Sequence, residues 1–179
     1  MYKLKLNISI LAIAILLAAC NQTQETHESP ASDSLATVPA VPVELQDTSI
    51  NQAFKCYEDL KDVLVTSNAS EARIAAAELG AALRKVKGSE NTAVLADKIA
   101  NSTDLSDQRT NFTSLSNEVI TLFKQSEISS GSIYVQYCPM ANEGEGGFWL
   151  SSQKEIMNPY YGDEMLNCGE VKEILTKKL

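Results

Sequence analysis

The stretch INQAFKCYEDLKDVL, from Ile50 to Leu64, decides the fold class. Ile50, Phe54, Tyr57, Leu60 and Leu64 recur at three- and four-residue steps, the period that lines one face of an α-helix with apolar side chains. The same rhythm returns downstream. Asn68 followed by Glu71 marks a capped helix start, and Ala72, Ala76, Leu79, Leu83 and Val86 keep one face apolar until Gly88, a residue suited to ending a helix. The small residues Ala75 to Ala77 and Ala81–Ala82 let a neighbouring helix approach closely. A shorter helix is predicted over Thr92 to Ala100. A fourth is predicted after a Thr103 cap, with Leu105, Phe112, Leu115, Val119 and Leu122 on one face. Four amphipathic helices with short connections predict a mainly α fold, a four-helix antiparallel bundle.

Beyond residue 128 the character changes. Six of the eleven aromatic residues fall between Tyr134 and Tyr161. Ile133, Val135 and Tyr137 alternate with Tyr134 and Gln136, a strand signal. NEGEGG (142–147) reads as a turn and GFWL (147–150) as a second strand, so a small β-hairpin is expected. NPYYG (158–162) reads as another turn, because Pro159 holds Asn158 extended. EVKEILTKKL, from Glu170 onward, has a helical look, with Val171, Ile174 and Leu175 on one side. The expectation is a bundle domain over 50–179, with residues 128–179 as an aromatic-rich appendage.

Upstream of Ile50 there are two segments. Residues 1–19 carry Lys3 and Lys5, an apolar block from Ile8 to Leu17, and small residues before Cys20. That is the pattern of a secretory signal, too short to span a bilayer comfortably. LAAC (17–20) resembles the bacterial lipobox, in which the cysteine thiol receives a diacylglycerol and the chain is cut just before it. Acyl chains on Cys20 would anchor the protein, each buried methylene contributing about 0.8 kcal/mol. Asn21 is not an inner-membrane retention signal under the usual sorting rule, which favours the outer membrane. Residues 20–49 then read as a flexible tether. Between Asn21 and Ser49 lie three of the five prolines, five acidic residues, no Lys or Arg and no aromatic. Such a composition cannot bury enough surface to offset its ordering entropy. The only histidine, His27, sits on this tether.

Charge excludes some partners. The formal charge is −8, and cleavage before Cys20 removes two lysines to leave −10. No cluster of Lys and Arg forms a stripe, which argues against nucleic acid, and an acidic body is not drawn to anionic lipid. Catalysis is also disfavoured. Ser-His-Asp or Cys-His chemistry lacks a histidine in the folded part, and there is no C-x-x-C pair, phosphate-binding glycine loop or HExxH helix. Glu143, Glu145, Asp163 and Glu164 sit in glycine-rich turns, where acids are ordinarily solvated. The expectation is a protein that is not an enzyme.

With Cys20 lipidated, three cysteines remain, an odd number in an exported chain. Cys56 reads as a small buried apolar residue of the first helix. Cys138 and Met140 share a face if the strand continues through Pro139. Met165 and Cys168 share a face if they lie on a helical turn. The two pairs, CPM and MLNC, offer two thiolates and two thioethers, a set that suits Cu(I) or Ag(I). A helix beginning after Cys168 would favour its thiolate. The alternative is a Cys138–Cys168 disulfide, the ordinary fate of two cysteines outside the cytoplasm. Separate free thiols are the third option.

LKDVLVTSNASEARIAAAELGAAL (60–83) and the tail motifs YCPMA, WLS, NPYYG and ML-C, in that order, resemble a bacterial domain family of unassigned function. Its members occur alone in exported lipoproteins, common among Bacteroidetes, and as the tail of periplasmic adaptors of heavy-metal efflux pumps. The resemblance covers about residues 50–179. It is carried by Cys138, Pro139, Met140, Asn158, Pro159, Tyr160, Gly162, Met165 and Cys168, with Cys56 outside the pattern. It implies an association with heavy-metal homeostasis and with efflux components as partners, and by analogy a soft-metal site at Cys138, Met140, Met165 and Cys168. The chain lacks the lipoyl-like, hairpin and barrel segments of an adaptor.

Overall fold

The structure is a computed structural model that describes residues 41–178. The signal segment, Cys20, His27 and most of the tether lie outside the described residues.

The first helix, α1 (Thr48–Val65), follows the apolar period of its sequence. Phe54, Tyr57, Leu60 and Leu64 are fully buried, while Ile50 is half-buried. Asp47 caps it, its carboxylate accepting from the Ser49 and Ile50 N–H groups that a helix start leaves unpaired. Helix α2 (Ala69–Leu83) is capped by Asn68, which accepts from the Glu71 N–H at 3.1 Å. It ends before Val86, in a turn that reaches Gly88 with φ of 86°. Helix α3 (Glu90–Asn101) packs tightly on α2: a Cβ added at Gly80 would lie 3.0 Å from Asp97 Oδ1. Helix α4 (Leu105–Gln125) is capped by Asp104 rather than Thr103. Its buried face uses Phe112, Leu115, Val119 and Phe123, and Leu122 is only half-buried.

Contacts run chiefly between successive helices, α1 on α2, α2 on α3 and α3 on α4. Among the described residues there are thus four helices, accompanied by two small antiparallel sheets. The first sheet pairs β1 (Glu44–Leu45) with β2 (Ile128–Ser130). Val43 and Leu45 are buried, so the ordered fold reaches into the segment read as tether from its composition. The buried Val43 and Leu45, the pairing with β2 and the Asp47 cap hold residues 43–47 against the fold.

The second sheet has the order β4-β3-β5, from β3 (Ser132–Cys138), β4 (Gly147–Ser151) and β5 (Glu170–Thr176). β3 and β4 are the expected hairpin, with Tyr137 opposite Phe148 and Gln136 opposite Trp149. β5 corrects the helical reading of EVKEILTKKL. Its backbone pairs with β3 from Ser132↔Thr176 to Tyr137↔Glu170, and filling the open edge of β3 overrides a weak local helix signal. Aromatic contacts join helices to sheet: Tyr57 stacks on Phe112, Phe112 meets Tyr160, and Tyr160 meets Trp149 at 6.1 Å between ring centroids.

No helix among the described residues is long and apolar enough to cross a membrane.

Candidate functional site: a thiol pair fastened by the NPYYG turn

Cys138 is the last residue of β3, and Cys168 lies two residues before β5 begins. Because Tyr137 pairs with Glu170, the antiparallel register carries Cys138 alongside Gly169 and Cys168. Their Sγ atoms are 2.7 Å apart. Cys138 is fully buried and Cys168 half-buried, and both are thiols in this structure. Hydrogen bonding to Cys138 raises the Cys168 thiol pKa, with burial adding to the shift. This reverses the expectation of a favoured thiolate, since a strand and not a helix start follows Cys168.

The methionines are placed differently from the cysteines. The strand stops at Cys138, so Met140 lies in the following turn and is 53% exposed. Its carbonyl accepts the Tyr161 hydroxyl. Met165 ends a short 3-10 turn (Gly162–Glu164) rather than sitting on an α-helix, and its carbonyl accepts the Cys168 N–H at 3.0 Å. The structure therefore brings Cys138 and Cys168 into contact and leaves Met140 open to solvent. Among the described residues no group of three or more His, Cys, Asp or Glu side chains is arranged to hold a metal ion. Glu143, Glu145, Asp163 and Glu164 are exposed, as acids in turns usually are. Cys56 is buried in α1, where Gln52 Nε2 donates to its sulfur.

What holds the thiol pair is a set of polar anchors whose role residue spacing does not reveal. Asn158 is fully buried. Its Oδ1 accepts from the Tyr160 and Tyr161 N–H groups at 2.8 and 3.3 Å, folding the turn on itself. Its Nδ2 donates to the Cys168 carbonyl at 2.8 Å, and its own N–H donates to the Leu166 carbonyl. The turn is then tied to the rest of the fold. Tyr160 donates its hydroxyl to the Phe148 carbonyl at 2.7 Å, and Arg109 on α4 donates to the carbonyls of Pro159 and Leu64 and to Ser67 Oγ. Two glycines are required by space and backbone. At Gly162 (φ 57°) a Cβ would fall 2.5 Å from Ser67 Oγ, and at Gly169 (φ 146°) it would fall 2.9 Å from the Trp149 ring. Gln136, also fully buried, donates to the carbonyls of Gln153, Lys154 and Glu155 and so clasps the loop leaving β4. A buried Asn or Gln inside an aromatic-rich tail was the available signal for such anchors, since buried amides must find partners.

A family profile described as "Protein of unknown function (DUF3347)" matches residues 53–131. The match covers α1 from Ala53 onward, α2 to α4 and β2, and ends just before β3, so the thiol pair lies outside it. No curated protein and no solved structure matches the chain.

Proposed function

We propose that this chain is a non-enzymatic lipoprotein of the cell envelope, anchored through Cys20, in which a helical bundle carries an appendage stapled by a Cys138–Cys168 disulfide. The observation that supports the staple is the 2.7 Å between the two sulfurs. From there only a short movement reaches the bond length of about 2.05 Å. Oxidation releases two protons and passes two electrons to an extracytoplasmic thiol oxidant, the environment in which exported cysteines pair. The bond closes a loop whose ends are 30 residues apart, worth about 3.7 kcal/mol in the chain-entropy model. The stapled appendage serves as a structural or contact module. Urea unfolding with and without reductant tests this. Reduction should lower stability by about that amount in the wild type and leave the Cys138→Ser/Cys168→Ser variant unchanged. Equal reductant sensitivity in both would remove the staple.

A second reading concerns the reduced pair, which would bind Cu(I) or Ag(I) in a role linked to heavy-metal homeostasis or efflux. The turn that joins the Cys168 N–H to the Met165 carbonyl favours it by keeping a thioether residue beside a thiol. The donor chemistry suits a soft cation. Cys138 and Cys168 would hold it, with Met165 three residues from Cys168, and Met140, two residues from Cys138, would have to turn in from solvent. The raised Cys168 pKa opposes binding until the proton is displaced. Titration of reduced protein with Cu(I) against a competing chelator checks it, and equal weak binding by the double-serine variant would end this reading. Disulfide formation removes the ligands, so the two states exclude each other.

A further inference from the structure

We propose that the open cleft between α4 and the β3–β4 hairpin is a binding site for a saccharide unit. The inference is independent of the thiol pair. The cleft has a volume of about 790 Å³, within the range of small-ligand pockets. One wall is aromatic. Tyr137 and Phe148 are directly opposite across the strands, so their side chains share a face of the sheet. Their ring centroids are 4.4 Å apart, and Phe148 is 36% exposed, the one large aromatic side chain left open among the described residues.

The other wall is a polar stripe. Thr110, Thr113, Ser114 and Asn117 recur at three- and four-residue steps on α4 and line the cleft. Ser114 and Asn117 are exposed, and their side chains make no hydrogen bond among the described residues, so a hydroxyl and an amide stand ready for a ligand.

The loop at the rim is held in a conformation that side chains other than glycine rarely take. Asn142 and Glu143 have φ of 52° and 59°. Thr113 Oγ1 donates to Asn142 Oδ1 at 3.0 Å, and Asn142 Nδ2 donates to the Gly146 carbonyl at 2.8 Å, which pins the loop to α4. Gly146 has no room for a side chain, because a Cβ would fall 2.2 Å from the Tyr137 hydroxyl. The loop thereby presents Glu143 and Glu145 to the cleft, two carboxylates with no ion-pair partner among the described residues. Backbone held this way by its surroundings is typical of functional sites.

The chemistry of the lining selects the ligand. The Lys172 ammonium, 5.4 Å from the Tyr137 ring centroid, is paired with Glu170, so the carboxylates of Glu143 and Glu145 disfavour anions, and the many polar groups disfavour a purely apolar molecule. An aromatic face takes the C–H face of a sugar ring, while carboxylates, amide and hydroxyls accept and donate to its hydroxyl groups. Isothermal titration and amide chemical-shift mapping with maltose, cellobiose, chitobiose and digalacturonate test the assignment. At least one of the three uncharged disaccharides should bind saturably and shift amides of α4 and the 142–147 loop, while digalacturonate should not bind. Phe148→Ala should weaken that binding tenfold or more, and Asn117→Ala, on an exposed helix position, should weaken it several-fold without altering the circular dichroism. Absence of saturable binding by all three, or binding unchanged in both variants, would overturn the proposal. So would preferential binding of digalacturonate.

Discussion

Asn158→Ala should disable the turn that holds the thiol pair, and its cost can be worked from the hydrogen bonds lost. The side chain accepts from two backbone N–H groups and donates to the Cys168 carbonyl. Truncation leaves those groups without partners in a region where Asn158 and Tyr160 are buried. A buried polar group left unpaired costs about 1–3 kcal/mol. The Tyr161 bond is long and half-buried and counts least, so the sum is about 3 kcal/mol, with a small cavity adding to it. Against a total stability of about 5–15 kcal/mol, that loss is large. Urea unfolding reads it directly, because Trp149 is the single tryptophan, is fully buried and packs on Tyr160. The midpoint should fall with an unchanged slope. Asn158→Asp, which keeps the acceptor and loses the donor to Cys168, should be destabilised as well. A loss below about 1 kcal/mol for Asn158→Ala would refute the view that this amide fastens the appendage.

Two further perturbations follow from the same packing. Gly169→Ala places a Cβ 2.9 Å from the Trp149 ring and 3.0 Å from the Tyr137 carbonyl at a φ of 146°. It should cost about 2 kcal/mol or more and shift the tryptophan emission, and an unchanged unfolding curve would contradict the crowding argument. The hydroxyls of Tyr57 and Tyr160 are held well above the usual 10.0, chiefly by burial. The unfolded chain releases these protons near pH 10 and the folded chain does not, so stability present below pH 10 is lost as pH rises above it. The slope is about 1.4 kcal/mol per pH unit for each tyrosine. Tyr160→Phe should therefore flatten the alkaline fall by that increment relative to wild type, and parallel curves from pH 10 to 12 would refute the assignment.

The helices were legible because burial and sequence period report the same thing. Phe54, Tyr57, Leu60 and Leu64 in α1, and Ala72, Ala76, Leu79 and Leu83 in α2, are all buried. Helix ends were less so, since Thr103 and Asp104 are both acceptable caps and only geometry chooses Asp104. β5 misled because Val171, Ile174 and Leu175 fit a helical spacing, whereas Ile174 is 52% exposed on a strand that exists only because β3 offers an open edge. The same spacing predicts a helix start, and hence a low pKa, at Cys168, where the structure has a strand beginning at Glu170 and a raised pKa. Contact between Cys138 and Cys168 depends on the β3–β5 register and on Asn158, neither of which can be read from a 30-residue separation. The residue types at the site were visible; the turn that aligns them was not.

Whether Cys138 and Cys168 close on each other can be read from the protein as isolated. Mass spectrometry of the protein isolated without reductant, alkylated and then digested, measures this directly. One cross-linked peptide pair should join Cys138 to Cys168, two hydrogens lighter than the separate thiol peptides, with Cys56 not part of the link. Alkylation of both Cys138 and Cys168 in the unreduced protein would contradict it.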